Sequence, residues 1–283
     1  MGLSMARNLK KAGLLTGVWN RSTDKASSLS EETGCVVAID PATLAASVDV
    51  LVLCVSADAD VLAMVDAILP GAHPGLTVVD CSTVSAATAR EAATRLAAHG
   101  TRFLDAPVSG GVEGARDGTL AIMCGGTEEA FEAARPVLAA MGRTVTHMGP
   151  TGYGQSTKAT NQILCAGVIQ AVSEAMAFAK AEGLPLDKVI DTLGKGAGSS
   201  WYFVNRAPFM ARENFPAGFR VRLHDKDLGI CHDMAARHGV TLPVVEMTRM
   251  HYQTLMQTGH GDEDISTIFR LKDALFSVGA KTS

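Results

Sequence analysis

Short apolar runs alternate with alanine-rich amphipathic stretches over the first half of the chain, and beyond residue 150 only helical periodicity remains. Residues 1–13 read as a helix closed by Gly13, with Met1, Met5, Leu9 and Ala12 on one face. A strand is expected at 15–20. The runs at 49–56 and 76–83 are apolar almost throughout, as befits central parallel strands covered on both faces. Helices over 58–69 and 85–98, strands near 102–105, 119–124 and 144–148, and a helix over 128–141 ending at Gly142 complete a doubly wound α/β sheet. Gly149-Pro-Thr-Gly-Tyr-Gly154 marks the change of pattern, giving an α/β domain at 1–150 and an all-helical domain at 151–283. Residues 155–181 read as one helix of roughly 40 Å, the spine of the second domain.

Composition narrows the classes. The length of 283 residues exceeds the usual single core, and 47% apolar with 19% charged residues describes a globular protein. A net charge of −4 without a basic block marks no nucleic-acid or polybasic membrane surface, and small anionic metabolites stay open as partners. Six cysteines are widely spaced with no Cys-x-x-Cys pair, which fits reduced thiols in a cytoplasmic protein. No apolar run approaches the ~20 residues of a membrane helix, and no secretory signal precedes the first helix. The eight histidines show no metal-binding spacing, so no metal is expected.

The candidate chemistry centres on Asp105-Ala-Pro-Val-Ser-Gly-Gly-Val-Glu-Gly114. Gly110 and Gly111 let backbone N–H groups approach a small anion and the Ser109 hydroxyl adds a donor, a cradle for a carboxylate; a plain Pro/Gly turn is the alternative. Upstream, a helix that opens at Gly2-Leu3 and feeds a strand is the second half of a βαβ nucleotide unit, with Gly2 as the last glycine of Gly-x-Gly-x-x-Gly. The first strand and the leading glycines are absent from this sequence. About 18 residues on, Asn20, Arg21 and Ser22 replace the acid of an NAD-selective site, favouring NADP(H) over NAD(H), unless Arg21 is merely a surface arginine. Val55 and Ser56, then Ser82 and Thr83, end the two apolar runs, where parallel sheets bind ligands. Downstream, Lys158, Asn161, Gln162 and Cys165 share one helix face. A lysine at the positive end of a helix dipole is mismatched, which points to a purpose and a lowered pKa; a solvated lysine is the bland reading. Lys226 and Asp227 lie near the start of a further helix, where Asp227 could be only a helix-start charge. The acidic 261–264 stretch reads as helix N-terminal chemistry rather than a metal cluster.

Together, Asp105-Ala-Pro-Val-Ser-Gly-Gly-x-x-Gly-Ala115 with Gly118-Thr-Leu120, Lys158-x-x-Asn-Gln162 and Lys226-Asp-Leu228 resemble the β-hydroxyacid dehydrogenase family over essentially the whole chain. The resemblance implies a Rossmann domain followed by an all-α domain, with the active site between them. It implies Lys158 as the catalytic lysine and Ser109, Gly110 and Gly111 as the clamp for the substrate carboxylate. Asn161, Gln162, Phe219 and Asp227 are implied as pocket residues. Gly2, Leu3, Asn20, Arg21, Ser22, Val55, Ser56, Thr83 and Lys226 are implied as cofactor contacts. Family members carry about ten residues ahead of the position of Gly2, forming a first strand and glycine turn, so the sheet is expected to lack a central strand. The implied reaction is NADP(H)-dependent reduction of a small semialdehyde or oxo-acid such as glyoxylate, succinic or tartronate semialdehyde, by a homodimer or homotetramer. The alternatives are NAD-dependent oxidation of a 3-hydroxyisobutyrate-type hydroxy acid and a non-catalytic scaffold that keeps the fold.

Overall fold

The computed structural model describes residues 1–279. These form two compact units, Met1–Lys158 and a second beginning at Ala159. The first unit runs α1 (Gly2–Lys11), β1 (Gly17–Val18), α2 (Thr23–Thr33), β2 (Val36–Val37), α3 (Pro41–Ala45), β3 (Val50–Leu53) and α4 (Asp58–Ile68). It continues through β4 (Thr77–Asp80), α5 (Ala86–Ala97), β5 (Arg102–Asp105), β6 (Val108–Ser109), α6 (Gly111–Asp117), β7 (Leu120–Gly125), α7 (Glu128–Met141) and β8 (Gly142–Gly149) to the first turns of α8 (Tyr153–Ala181).

Strands β3, β4 and β5 pair in parallel, Leu51 beside Val78 and Val79 beside Leu104. All four residues of β4 are buried. That is why its sequence is a continuous run instead of an alternation: helices cover both faces, α1 and α7 meeting Val79 and Leu104, α4 and α5 meeting Val78. β7 is antiparallel to β5 and β6 and parallel to β8.

One expectation changes in form. β1 is only two residues long and pairs with β2 in a separate parallel sheet, so the expected single sheet is split in two. Between the pieces lies a slot of about 750 Å³, lined by Leu15, Gly17 and Val18 on one side and Val50, Leu51 and Val52 on the other.

The second unit comprises the rest of α8 with α9 (Leu186–Leu193), α10 (Trp201–Ala211), α11 (Val221–Ala236), α12 (Pro243–Gln257) and α13 (Phe269–Gly279). Its core gathers Ile169, Met176, Phe203, Leu228, Tyr252 and Phe269. By length and composition α8 does reach what a membrane crossing needs, contrary to the sequence reading. Half of that apolar window is buried inside the protein, as in a core helix. The acidic stretch before α13 is spent on pairing: Asp262 meets Arg220 and Arg222, Glu263 meets His260 and Arg270, and buried Asp264 meets Arg206 while accepting from the Ser266 N–H. Asp264 thus caps the 3-10 turn Ile265–Ile268.

Leu104 is fully buried between β4 and α7, so Leu104→Ala should lower unfolding stability by about 2–5 kcal/mol, read from urea melts.

Candidate active site

The cradle loop begins where β5 ends. Val108 and Ser109 pair with Ile122 and Ala121 of β7, which fixes the Ser109 backbone at a sheet edge. Gly110 then takes φ 131° and Gly111 φ 67°, values that side-chain-bearing residues avoid, and α6 starts at once. A Cβ on Gly111 would lie 2.8 Å from Glu113 Oε2. That carboxylate ends a flexible side chain and can give way, so it is the left-handed backbone that calls for glycine at 111.

Asp105, the first residue of the motif, turns inward. It is fully buried, and its Oδ1 accepts from the Gly152 N–H at 2.7 Å while Oδ2 accepts from the Gln155 N–H at 2.9 Å. Burial is the largest influence on this carboxyl and, with nearby Asp80, pushes its pKa up; the N–H donors pull it back, leaving it at about 7. The Gln155 side chain, also buried, donates to the Ser82 carbonyl at 2.9 Å and accepts from the Val84 N–H at 3.2 Å, bracketing Thr83. Ser82 Oγ in turn accepts from the Val55 N–H at 2.9 Å. The ends of β3, β4 and β5 and the start of α8 thus form one hydrogen-bonded group. Lys158 lies one turn beyond Gln155 and is buried, 7% exposed, so the bland reading of a solvated lysine does not hold. Burial, and the Asp105 charge after it, push the Cys124 thiol up to about 12.

At the other end of this unit, α1 opens at Gly2 with no side-chain cap on its first N–H groups and no acid in its first turn, the condition under which a helix start receives an anion. Gly2, Leu3 and Asn20 line the slot between the sheets. Asn20 donates to the Ser22 carbonyl at 3.0 Å, and Ser22 precedes α2 without capping it through its side chain. Arg21 reaches into solvent and meets Asp60 at 3.9 Å, a loose exposed pair worth little. Residues able to receive a dinucleotide phosphate therefore exist here, and their guanidinium is not locked elsewhere.

In the second unit, Asp227 is buried in the second turn of α11, so it is not a helix-start charge. Its Oδ2 accepts from Gln162 Nε2 at 2.7 Å and its Oδ1 meets Lys226 Nζ at 2.8 Å. Gln162 Oε1 accepts from Asn161 Nδ2 at 2.8 Å. The amide of Gln162 is therefore oriented from both ends. Behind it, His224 is fully buried; since a carbonyl can only accept, its Nε2 carries the proton toward the Gln162 carbonyl at 3.3 Å, and its Nδ1 accepts from Tyr252 at 2.9 Å. Phe219 packs on that ring, centroids 5.1 Å apart.

The structure thus gathers Val55, the turn carrying Thr83, and the start of α8 in one unit, and Asn161, Gln162, Lys226 and Asp227 in the other. Arg21 belongs to neither group; its recorded ion pair is with Asp60. The sequence reading gave no part to Gln155, Asp105 or His224. Asp105 was visible only as a motif letter; a polar residue at the buried opening of a long apolar helix was the signal for Gln155. Among the described residues no three His, Cys, Asp or Glu side chains gather as metal ligands.

Comparison with known proteins agrees along the chain. Residues 1–149 match the model of the NAD binding domain of 6-phosphogluconate dehydrogenase, and residues 152–272 match that described as NAD-binding of NADP-dependent 3-hydroxyisobutyrate dehydrogenase. The chain is 39% identical to an uncharacterized oxidoreductase of Shewanella frigidimarina, over 95% of this chain and 93% of that protein. It is 34% identical to the NAD-dependent L-serine dehydrogenase of Pseudomonas aeruginosa, covering 96% and 95%. It superimposes on a crystal structure of 3-hydroxyisobutyrate dehydrogenase from Salmonella typhimurium with a TM-score of 0.86 at 34% identity, covering 95% of each chain.

The raised Asp105 carboxyl has a consequence for stability. Unfolded, it titrates near ~3.9; folded, near 7, so between these values the folded state holds the extra proton. Its contribution is fully present below about pH 4 and is lost as pH rises through 7. Melting followed from pH 4 to 8 should therefore show a shallower decline for Asp105→Asn than for the parent chain.

Proposed function

The chain belongs to the β-hydroxyacid dehydrogenase family, and from that premise we propose that it reduces a small semialdehyde or oxo-acid, of the size of glyoxylate or succinic or tartronate semialdehyde, to the hydroxy acid, with NADPH as the favoured cofactor. It is an oxidoreductase that uses a nicotinamide cofactor to interconvert a hydroxyl and a carbonyl group on a small molecule.

The observation that supports this reading is the buried lysine one turn into α8, in the same unit as a glycine cradle for an anion. A carbonyl oxygen gains negative charge as it is reduced. The Lys158 ammonium stabilises that charge and gives up a proton from Nζ. Ser109, Gly110 and Gly111 bind the carboxylate through a hydroxyl and backbone N–H groups, fixing how the carbonyl is presented. Asn161 and Gln162 orient polar groups of the substrate, Gln162 being braced by Asp227, with Phe219 supplying apolar wall. When bound, the nicotinamide supplies the hydride. Gly2 and Leu3 at the uncapped start of α1, Val55, Ser56 and Thr83 at the strand ends, and Lys226 are the residues proposed to hold it. Asn20, Arg21 and Ser22 take the adenosine ribose, with Arg21 and its loose partner able to turn to a 2′-phosphate. We assign the cofactor half of the chemistry to residues 1–150 and the substrate and oligomer half to residues 151–283. A homodimer or homotetramer is supported by the large apolar side chains left exposed on the helical unit, Leu164, Phe178, Met250 and Leu275 among them.

A second reading is NAD-dependent oxidation of a small hydroxy acid. The proximity of Asp60 to Arg21 favours it, because a carboxylate there repels a 2′-phosphate, and the Pseudomonas relative is named NAD-dependent.

Lys158→Ala should lower kcat/KM for NADPH-dependent reduction of glyoxylate or succinic semialdehyde by about 10²–10³-fold or more; survival within a few-fold sinks the assigned role. Arg21→Ala should raise KM for NADPH by about tenfold and leave KM for NADH unchanged, the size of one lost charge-assisted contact. Equal effects on both cofactors would favour the NAD reading.

A further inference from the structure

We propose that Asp105 is a positioning residue for the lysine: by accepting the first N–H groups of α8 it fixes the start of that helix, and Lys158 with it, relative to the strand that leads into Ser109–Gly111. The inference rests on the proposed role of Lys158.

Helices α5 and α7 in the same unit are capped by the residue just before them, Ser85 meeting the Thr88 N–H and Thr127 meeting the Ala130 N–H. Such local caps satisfy a helix end but say nothing about where the helix stands. α8 is treated differently: its opening N–H groups are met by a carboxylate 47 and 50 residues earlier in the chain, at the end of a central strand. That bond sets position as well as satisfaction.

Burying a carboxylate is expensive, and a hydroxyl could have capped the helix at far lower cost. The backbone, moreover, is shaped around the acid. A Cβ on Gly125 would stand 2.6 Å from Asp105 Oδ1, and one on Gly154 would stand 2.8 Å from Oδ2 and 2.4 Å from the Met123 carbonyl. Two glycines thus bring β7 and α8 directly onto the carboxylate, leaving it no freedom to move.

Consequences follow in both directions along the chain. Four residues after Asp105 comes Ser109; three residues after its donor partner Gln155 comes Lys158, one helical turn on. Gln155 adds a third member through Ser82 and Val84. Loss of the carboxylate frees the helix start while leaving the remaining burial of α8 and the strand ladder in place, so the effect falls on alignment. A misplacement of the order of 1 Å at a reacting group costs about 10²-fold.

The test uses the full chain at pH 8, above the Asp105 titration near 7. Parent, Asp105→Asn, Lys158→Ala and the double variant are compared for kcat and KM with glyoxylate or succinic semialdehyde, for NADPH affinity, and for melting temperature. Expected for Asp105→Asn is a fall in kcat of about 10–100-fold per folded molecule, with KM and NADPH affinity within about threefold. The double variant should then be no slower than Lys158→Ala within about threefold, because a residue acting through the lysine adds nothing once the lysine is gone. Multiplying losses in the double variant, or a kcat for Asp105→Asn within threefold of the parent while Lys158→Ala is crippled, would overturn the positioning role alone. Retained activity in Lys158→Ala would overturn the functional reading and this inference with it. Should the Asn variant fail to fold, Asp105→Glu, which keeps the charge and shifts it by one methylene, is measured for the same quantities and judged by the same outcomes.

Discussion

A carboxylate without water around it has to be held by something, and at the end of β5 what holds it is the start of α8. The Gly152 and Gln155 N–H groups supply the two hydrogen bonds that keep Asp105 from being a bare buried charge. The dependence is mutual. Those N–H groups, at a buried helix opening, would otherwise be orphaned donors. Because each side removes a large penalty from the other, the pair is more constraining than its net worth suggests: neither the strand nor the helix can shift without exposing both costs together. Cradle, strand ends and lysine-bearing helix are arranged around that mutual requirement.

A similar logic runs through the helical unit with different chemistry. Gln162 is neutral and could rotate, yet Asp227 accepts from its nitrogen while Asn161 donates to its oxygen, so only one orientation of the amide satisfies both. Lys226 beside Asp227 offsets the charge that this arrangement buries. Behind them the tautomer of His224 is dictated by a carbonyl on one side and Tyr252 on the other. These polar side chains are thereby held in one arrangement by the protein alone, the kind of pre-organisation that lowers the cost of binding and aligning a ligand.

How legible this was in the sequence differs by kind of feature. The central strands were plain, because β4 and its neighbours are buried on both faces and read as unbroken apolar runs, and glycine stops bounded the helices beside them; the short elements between residues 23 and 45 carry no such pattern and were not read. The cradle was legible because Ser109, Gly110 and Gly111 are a local constellation. Asp105 was not, since its partners lie 47 and 50 residues away and no periodicity relates them. Asp227 was left open between a pocket residue and a helix-start charge for the same reason: the helix begins at Val221, and the burial of Asp227 and its bond to Gln162 are tertiary facts. The long helix was read as a domain spine, though its composition would also suit a membrane span. Apolar composition is shared by core spines and membrane spans, and burial separates them where composition does not.

The split sheet carries this difference into energetics. Parallel strands in register share a ladder of hydrogen bonds, so β3, β4 and β5 move as one plate. β1 and β2 share a ladder only with each other. What ties α1 to the larger sheet is side-chain packing, Met5 and Leu9 against Val79 and Leu104, with Asn8 Nδ2 donating to the Ala115 carbonyl at 2.7 Å. Packing resists separation but tolerates sliding better than a ladder does, since dispersion has no direction and hydrogen bonds do. The unit therefore combines a part tied by hydrogen bonds, where Asp105 joins the end of β5 to the start of α8, with β1 and α1, which meet the larger sheet through packing. Lys158 lies on the hydrogen-bonded part, one turn beyond Gln155, and Arg21 follows β1 on the part held by packing.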